Sequence, residues 1–474
     1  MSTVRDVLVL GGGSAGLWAA LSLLESHPGL GVTVIEREGF PGGMAASFTE
    51  RGLTFDFGSH RLHPSSAGRI LDSVRSLLGD RLLERPRNGR ILLDGRFVRF
   101  PLKPMDMLLR LPPSFAAGAA MDAISSPFRR QAPPEAPFDA TLRAGLGRTI
   151  CDRFYFPYAR KLWGLQPDQI DGVQARRRVS AGSLGKMLRK VASGVRKGSG
   201  TGGIFYYPAG GFGEIFTAAA SGIERLGGRI LLRTEVLGVT PPAEGRPGSA
   251  VVSTDGRSRE VPADFIFSTL PVTDLARMIR PGLDGAVIEA AGKLGWRAMV
   301  LLYLELGTRR YTPFDAHYFP GPETVFSRLS EPRNYSMAEA PAERTGLCLE
   351  IPCTKDEALW EMSDEELSAL AAAQLVAAGL PRPPILTAFT RRLGHAYPSY
   401  TLDYSRSLTI LEDSLEGIPG LVSIGRQGLF AHDNTHHAME TGMTAAGCLD
   451  PAAGWDAEGW KEARNGFREH TVVD

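Results

Sequence analysis

Two clusters of residues able to do chemistry stand at opposite ends of this chain. Near the amino terminus, Gly11, Gly13 and Gly16 spell GxGxxG. They lie between an apolar run, Val7–Leu10, and a segment carrying Leu17, Ala20, Leu21 and Leu24 on one helical face. The three glycines serve the tight turn, close approach of the backbone to a pyrophosphate, and close helix–strand packing. The helix that follows offers unpaired N–H groups and a partial positive charge to phosphate. A second apolar run, "VTVIERE", reaches Glu36, twenty residues past Gly16, where an acid accepts hydrogen bonds from an adenosine ribose. Strand, turn, helix, strand and acid agree on a dinucleotide site.

The second cluster is "GRQGLFAHDNTHHAMETG", Gly425 to Gly442, with three histidines, an aspartate and an asparagine. Zinc needs converging ligands, and His436 and His437, adjacent on a helix expected to begin near Asn434, are expected to point apart. No metal site is expected. The stretch reads instead as strand, GRxG turn, loop and helix.

Holding these clusters takes a large fold. At 474 residues the chain calls for two or three domains, and 43% hydrophobic with 22% charged residues is ordinary for a soluble globular protein. The 53 basic and 52 acidic residues leave no general field for nucleic acid. "RRR" at Arg176–Arg178 reads as a solvated face or an anion contact. Cys151, Cys348, Cys353 and Cys448 form no CxxC pair and no zinc spacing, which fits a reduced, cytoplasmic protein. No secretory pattern opens the chain, and no apolar segment reaches the ~20 residues of a membrane span. The nearest, "MDMLLRLPPSFAAGAAMDAI", is interrupted by Pro112 and Pro113 and reads as helices of a packed domain.

"NGRILLDGRFVRFPLKP" alternates like strands, and roughly 105–200 is helix-rich. "IFYYPAGGFGEIFTAAASGIERLGGRILLRTEVLGVT" reads as a return to the nucleotide fold: glycine turn, amphipathic helix, and a strand ending near Val236. "ADFIFSTLP" is a further buried strand, and "AMVLLYLEL" and "GLCLEIPC" are strands of another sheet.

After Glu36, "GFPGGMAASFTERGLTFDFGSH" sets a second glycine pair, Gly42–Gly43, just past the ribose acid. Together these motifs resemble the FAD-binding amino terminus of the amine oxidase, protoporphyrinogen oxidase and UDP-galactopyranose mutase superfamily. The resemblance implies an α/β (α+β overall) architecture. Its Rossmann-like FAD-binding domain would be discontinuous, over 1–90, 200–280 and 400–450. A mainly helical substrate or cap domain over 91–199, an antiparallel-sheet substrate domain over 281–399 and a tail over 451–474 complete it. It also implies non-covalent FAD, held by Gly11, Gly13, Gly16, Glu36, Gly43, His60, Val236, Gly425, Arg426, Gly428, Asn434 and His437.

Other stretches resemble the UDP-galactopyranose mutases in particular. "FDFGSHRLHP" is similar to the loop whose histidine, here His60, lies over the flavin. "YARKLWG" resembles "YTxKQWG", placing Tyr158, Lys161 and Trp163 at matching spacing, with the aromatic pair expected at the nucleotide base. "YFPGPETVFSRLSEPRNYS" and "AYPSY" are similar to segments whose arginine and tyrosine meet the substrate diphosphate, here Arg328 and Tyr397. A bidentate guanidinium and phenolic donors suit that group. The resemblance thus implies a nucleoside-diphosphate sugar, ring isomerisation through reduced flavin, NAD(P)H as an external reductant, and catalytic roles for His60, Arg328 and Tyr397. The rival is an FAD-dependent oxidase, dehydrogenase or desaturase, which would leave Arg328 without a diphosphate.

Overall fold

The computed structural model describes residues 3–102, 104–126, 129–178 and 203–472. The expected helix-rich stretch therefore passes outside the described residues beyond 178, as does the side chain of Arg178.

The apolar runs form a five-stranded parallel sheet. Its order is Leu421–Ser423, Phe265–Ser268, β1 (Asp6–Leu10), β2 (Gly31–Ile35) and Arg229–Leu231. Strands buried on both faces need apolar side chains at every position, which is why these runs do not alternate. Sequence-distant pieces thus build one sheet, and the discontinuous fold class holds. The helix α1 (Ser14–Ser26) follows β1 and buries Leu17, Trp18, Leu21 and Leu24. It packs on the helix Thr435–Gly447, where a Cβ at Gly442 would lie 2.2 Å from the Ala15 carbonyl oxygen. Glycine lets the two chain ends meet.

One strand was expected to run to Val236. The chain instead breaks at Arg233, whose φ is 51°, in the left-handed region. Arg229–Leu231 closes the parallel sheet, and Thr234–Thr240 opens an antiparallel sheet of three strands with Gly248–Thr254 and Arg257–Ala263.

A seven-stranded sheet forms the other half. Its order is Ile385–Pro398, Trp296–Leu306, Thr345–Cys353, Arg328–Ser330, Ala316–Tyr318, Gly89–Leu93 and Arg96–Phe100. All neighbours are antiparallel except Ala316–Tyr318 with Gly89–Leu93. The hairpin 89–100 straddles the boundary expected at 91 and joins this sheet. The proline-broken segment becomes two helices, Pro104–Arg110 and Pro113–Ser125. Among the described residues no helix is long and apolar enough to cross a membrane.

Candidate active site

The amino-terminal turn is shaped from three directions. Gly11 has φ of 102°, and a Cβ there would lie 2.0 Å from Thr269 Oγ1. A Cβ at Gly16 would sit 2.0 Å from the Gly11 carbonyl oxygen, so the turn closes only on hydrogen. Gly13 differs: a Cβ there would meet nothing within 4 Å. Its missing side chain serves the space in front of the turn. Gly13 is also the N-cap of α1 and supplies no side-chain cap.

Glu36 is buried beside this turn. Its Oε2 accepts the Gly12 N–H at 2.8 Å and its Oε1 the Glu38 N–H at 2.8 Å. Burial raises its pKa, opposed by those two bonds. Thr234 donates its N–H to the Glu36 carbonyl at 2.9 Å, which brings Val236 to the same edge. The second glycine pair binds the first: Gly42 donates to the Gly12 carbonyl at 2.8 Å, and Gly43, φ 54°, would set a Cβ 3.3 Å from Gly13 Cα.

The carboxyl-terminal segment meets α1 from the other side. Gly425, φ 75°, would place a Cβ 2.6 Å from Ala15 Cβ, and one at Gly428 would reach the Ser268 carbonyl oxygen at 3.0 Å. Arg426 donates to the carbonyls of Asp433 (3.1 Å) and Ala396 (2.6 Å), with its guanidinium 4.9 Å from the Tyr397 ring centroid. Asn434 caps the helix Thr435–Gly447 in a box with His437, whose Nδ1 faces the Asn434 N–H at 3.3 Å.

His436 and His437 do not point apart: their ring centroids are 4.1 Å from each other. His470, from beyond the helix, stacks on His437 at 4.1 Å and 14°. Asp433, His437 and His470 bring possible ligand atoms within 4.8 Å of one another. An ion on the lone-pair axis of one ring lies in that ring's plane, so two nearly parallel stacked rings cannot both hold it. A cation is already there: Arg177 Nη1 lies 3.7 Å from Asp433 Oδ1. Burial pulls His437 down to about 3, with His436 adding to it, which keeps the ring neutral. Burial alone would raise the Asp433 pKa, but His470, Arg177 and His437 hold it low. The middle of the RRR run is thus a buried ion pair.

A third group forms where the loop after Leu53–Asp56 crosses the seven-stranded sheet. Glu350 Oε1 accepts the Ser59 N–H at 2.8 Å and Arg328 Nε at 2.9 Å, while Oε2 accepts Arg328 Nη2 at 2.9 Å. His60 faces the Phe57 carbonyl with Nε2 at 2.9 Å and stacks on Phe212 at 5.3 Å. A carbonyl cannot donate, so Nε2 carries the hydrogen and Nδ1 the lone pair. Burial lowers the His60 pKa, with Asp56 opposing it. The Arg328 guanidinium lies 5.9 Å from the Tyr318 ring, and the Glu350 carboxylate holds it charged against burial.

The bidentate grip expected of Arg328 is therefore half used. Glu350 takes the side-on edge, Nε and Nη2. Among the described residues the end-on edge, one N–H each of Nη1 and Nη2, meets no acceptor.

In "YARKLWG" the tryptophan is buried, while Tyr158 and Lys161 are half-buried. Trp163 is 5% exposed and packs edge-on against Phe138 at 5.4 Å. Tyr158 stacks on Phe154 at 5.8 Å. Lys161 donates to the carbonyls of Phe319 (2.6 Å) and Phe326 (3.1 Å) and to Thr324 Oγ1 (2.9 Å), and burial lowers its pKa to about 7. These side chains fix the helix Phe156–Trp163 to the loop before Arg328. Trp163 reaches the polar region through His432, whose ring lies 6.4 Å from it and 5.0 Å from Tyr397.

A glycine cradle with a buried acid, closed by a second glycine turn and a carboxyl-terminal helix, has the features that a dinucleotide calls for. The family description for flavin containing amine oxidoreductases matches residues 14–449. The chain belongs to that family. Among curated relatives, rice (Oryza sativa subsp. japonica) chloroplastic protoporphyrinogen oxidase is 26% identical over 174 residues, 35% of this chain and 32% of that enzyme. The chain thus matches about a third of that relative's length. A solved structure of reduced UDP-galactopyranose mutase superposes with TM-score 0.80 at 22% identity, covering 98% of this chain and 97% of that one. A protein described as a protoporphyrinogen oxidase from an Exiguobacterium species gives 0.72 at 18%, covering 94% and 99%. Putrescine oxidase bound to putrescine gives 0.63 at 18%, covering 94% and 98%. At such identities the likenesses speak for the fold.

Membership in this flavin family implies FAD, and the cradle fits it. Gly13 leaves room in front of α1, and Glu36 is buried beside that turn, where an acid of the ribose type is expected.

The sequence reading missed Glu350, Tyr318, His432 and His470. Glu350 had a signal: it is the only acid inside the apolar strand "TGLCLEIPC". A buried acid there needs a partner. The others become neighbours only through folding.

Proposed function

We propose that this flavoenzyme is a nucleoside-diphosphate-sugar mutase, interconverting pyranose and furanose ring forms. The observation that carries the reading is Arg328, held side-on by Glu350 and 5.9 Å from the Tyr318 ring, with its end-on edge turned to no acceptor among the described residues. FAD in its reduced form, when bound, would supply a nucleophilic nitrogen to the anomeric carbon.

Arg328 and Tyr397 would stabilise the charge that develops on the diphosphate as its bond to the sugar breaks. Glu350 fixes the guanidinium in place, so no reorganisation is needed at that moment. His60, neutral and with its Nε2–H donated to the Phe57 carbonyl, would orient the loop and transfer no proton. Gly11, Gly13, Gly16, Glu36, Gly43, Val236, Gly425, Arg426, Gly428, Asn434 and His437 would hold FAD. The amino terminus of the helix Thr435–Gly447 would favour negative charge on a bound, reduced flavin.

One observation favours the rival, net redox reading: Trp163 is buried against Phe138, away from a base-stacking surface. The two readings separate in one experiment. A mutase needs reduced FAD yet consumes no stoichiometric reductant, because substrate and product share an oxidation state. Under anaerobic conditions, catalytic dithionite or NAD(P)H is expected to switch on isomerisation of a nucleotide sugar, followed by chromatography. Stoichiometric peroxide from an amine or porphyrinogen substrate, with nucleotide sugars untouched, would replace the mutase reading with an oxidase.

A further inference from the structure

The helices Pro104–Arg110 and Pro113–Ser125 turn apolar side chains outward. Leu109, Ile124, Met121 and Met105 are 78, 75, 71 and 60% exposed, and three of them exceed every other exposed large apolar residue among those described. The pattern is helical. Ala117, Ala120, Met121 and Ile124, at i, i+3, i+4 and i+7, line one side of the second helix, while Phe115 is its buried anchor. Met105 and Leu109, at i and i+4, form an exposed apolar pair on the first. Apolar side chains grouped in this way on a surface mark a place that something else covers.

Its rim is basic. Among the described residues from 96 to 130, Arg96, Arg99, Arg110, Arg129 and Arg130 stand against Asp106 and Asp122, an excess of three positive charges in a chain whose net charge is +1. Arg96 donates to the Arg110 carbonyl at 2.8 Å, and Arg110 Nε to Asp106 at 2.9 Å. Arg129, 18% exposed, is paired with Asp122 at 3.5 Å and reaches Ser125 Oγ at 3.3 Å, while Arg130 is exposed. Arginines therefore gather at both ends of the stripe.

We propose that this face docks on the surface of a bilayer containing anionic lipid. The apolar stripe would enter the acyl boundary while the arginines meet headgroup phosphates. A second copy of the chain suits the face less well. Isologous pairing would set one positive rim against another, and six side chains fall short of the ~800 Å² per partner that a stable dimer buries.

The test uses the flavin-loaded protein in flotation with vesicles of phosphatidylcholine, alone or with phosphatidylglycerol. Flotation is expected only with the anionic vesicles, and raised salt should release the protein. The double substitution Met121→Glu/Ile124→Glu is expected to cut the bound fraction roughly tenfold or more. Both positions face solvent, so flavin absorbance and thermal midpoint should stay unchanged. Absence of flotation with anionic vesicles, or equal flotation of the double variant, would overturn the proposal. So would a wild-type dimer, seen by sedimentation velocity, that the same substitutions dissolve; the face would then belong to a second copy.

Discussion

Arg328 and Glu350 meet side-on, each guanidinium nitrogen 2.9 Å from its own carboxylate oxygen, and Glu350 also holds the Ser59 N–H beside His60. One carboxylate thus ties the diphosphate candidate to the histidine loop. Glu350→Gln keeps the shape and removes the charge. It is expected to weaken binding of a nucleoside diphosphate roughly 10- to 100-fold, the worth of a charge-assisted hydrogen bond. Arg328→Lys should act similarly, because a point charge cannot span two oxygens. Calorimetry with UDP on flavin-loaded protein reads both, and unchanged affinity in the two variants would remove this pair from the substrate site.

The glycines of the first turn should separate by role. Gly13→Ala places its Cβ in open space, so the apoprotein should keep its thermal midpoint while FAD affinity falls about tenfold or more. Gly16→Ala drives a Cβ to 2.0 Å from a backbone oxygen and should destabilise the fold itself. Thermal melts with and without FAD check both; a Gly13→Ala protein binding FAD normally would place the cofactor elsewhere.

Glu36→Ala is expected to cost about 1.5–3 kcal/mol of FAD binding, through loss of a charge-assisted bond to ribose. The carboxylate also accepts from Gly12 and Glu38, so the turn should loosen as well. Glu36→Gln, which keeps one acceptor, should fall between. Flavin fluorescence titration gives the order, and equal affinities across the three proteins would show that Glu36 holds the turn alone.

His317 gives a pH prediction. The ring is 1% exposed among Phe97, Phe314 and Phe319, and burial lowers its pKa to about 4, with Arg90 adding to it. The unfolded chain titrates near about 6.5. Stability tied to the neutral ring is therefore intact above that value and declines as pH falls towards the folded one. For one proton the slope approaches about 1.4 kcal/mol per pH unit. His317→Phe should remove that share of the acid sensitivity while leaving stability at neutral pH near the wild-type value. Urea melts at several pH values test it, and parallel pH profiles for the two proteins would exclude His317 as a source.

What the sequence determined by itself was local. Glycine spacing, an acid twenty residues on, and unbroken apolar runs dictate turn, helix and parallel strand within short range, so the nucleotide fold and its family were legible in the order of residues. Tertiary structure decided the rest. Glu350 lies on a different strand from Arg328 and far from Ser59, and only antiparallel pairing of Arg328–Ser330 with Thr345–Cys353 brings the three together. His470 reaches Asp433 from the tail, and helix packing turns His436 and His437 towards one another. Trp163 has the right spacing for a site residue, yet the surrounding helices bury it. Local sequence sets which way the backbone goes; whether a side chain ends at a ligand or in a core depends on what folds against it.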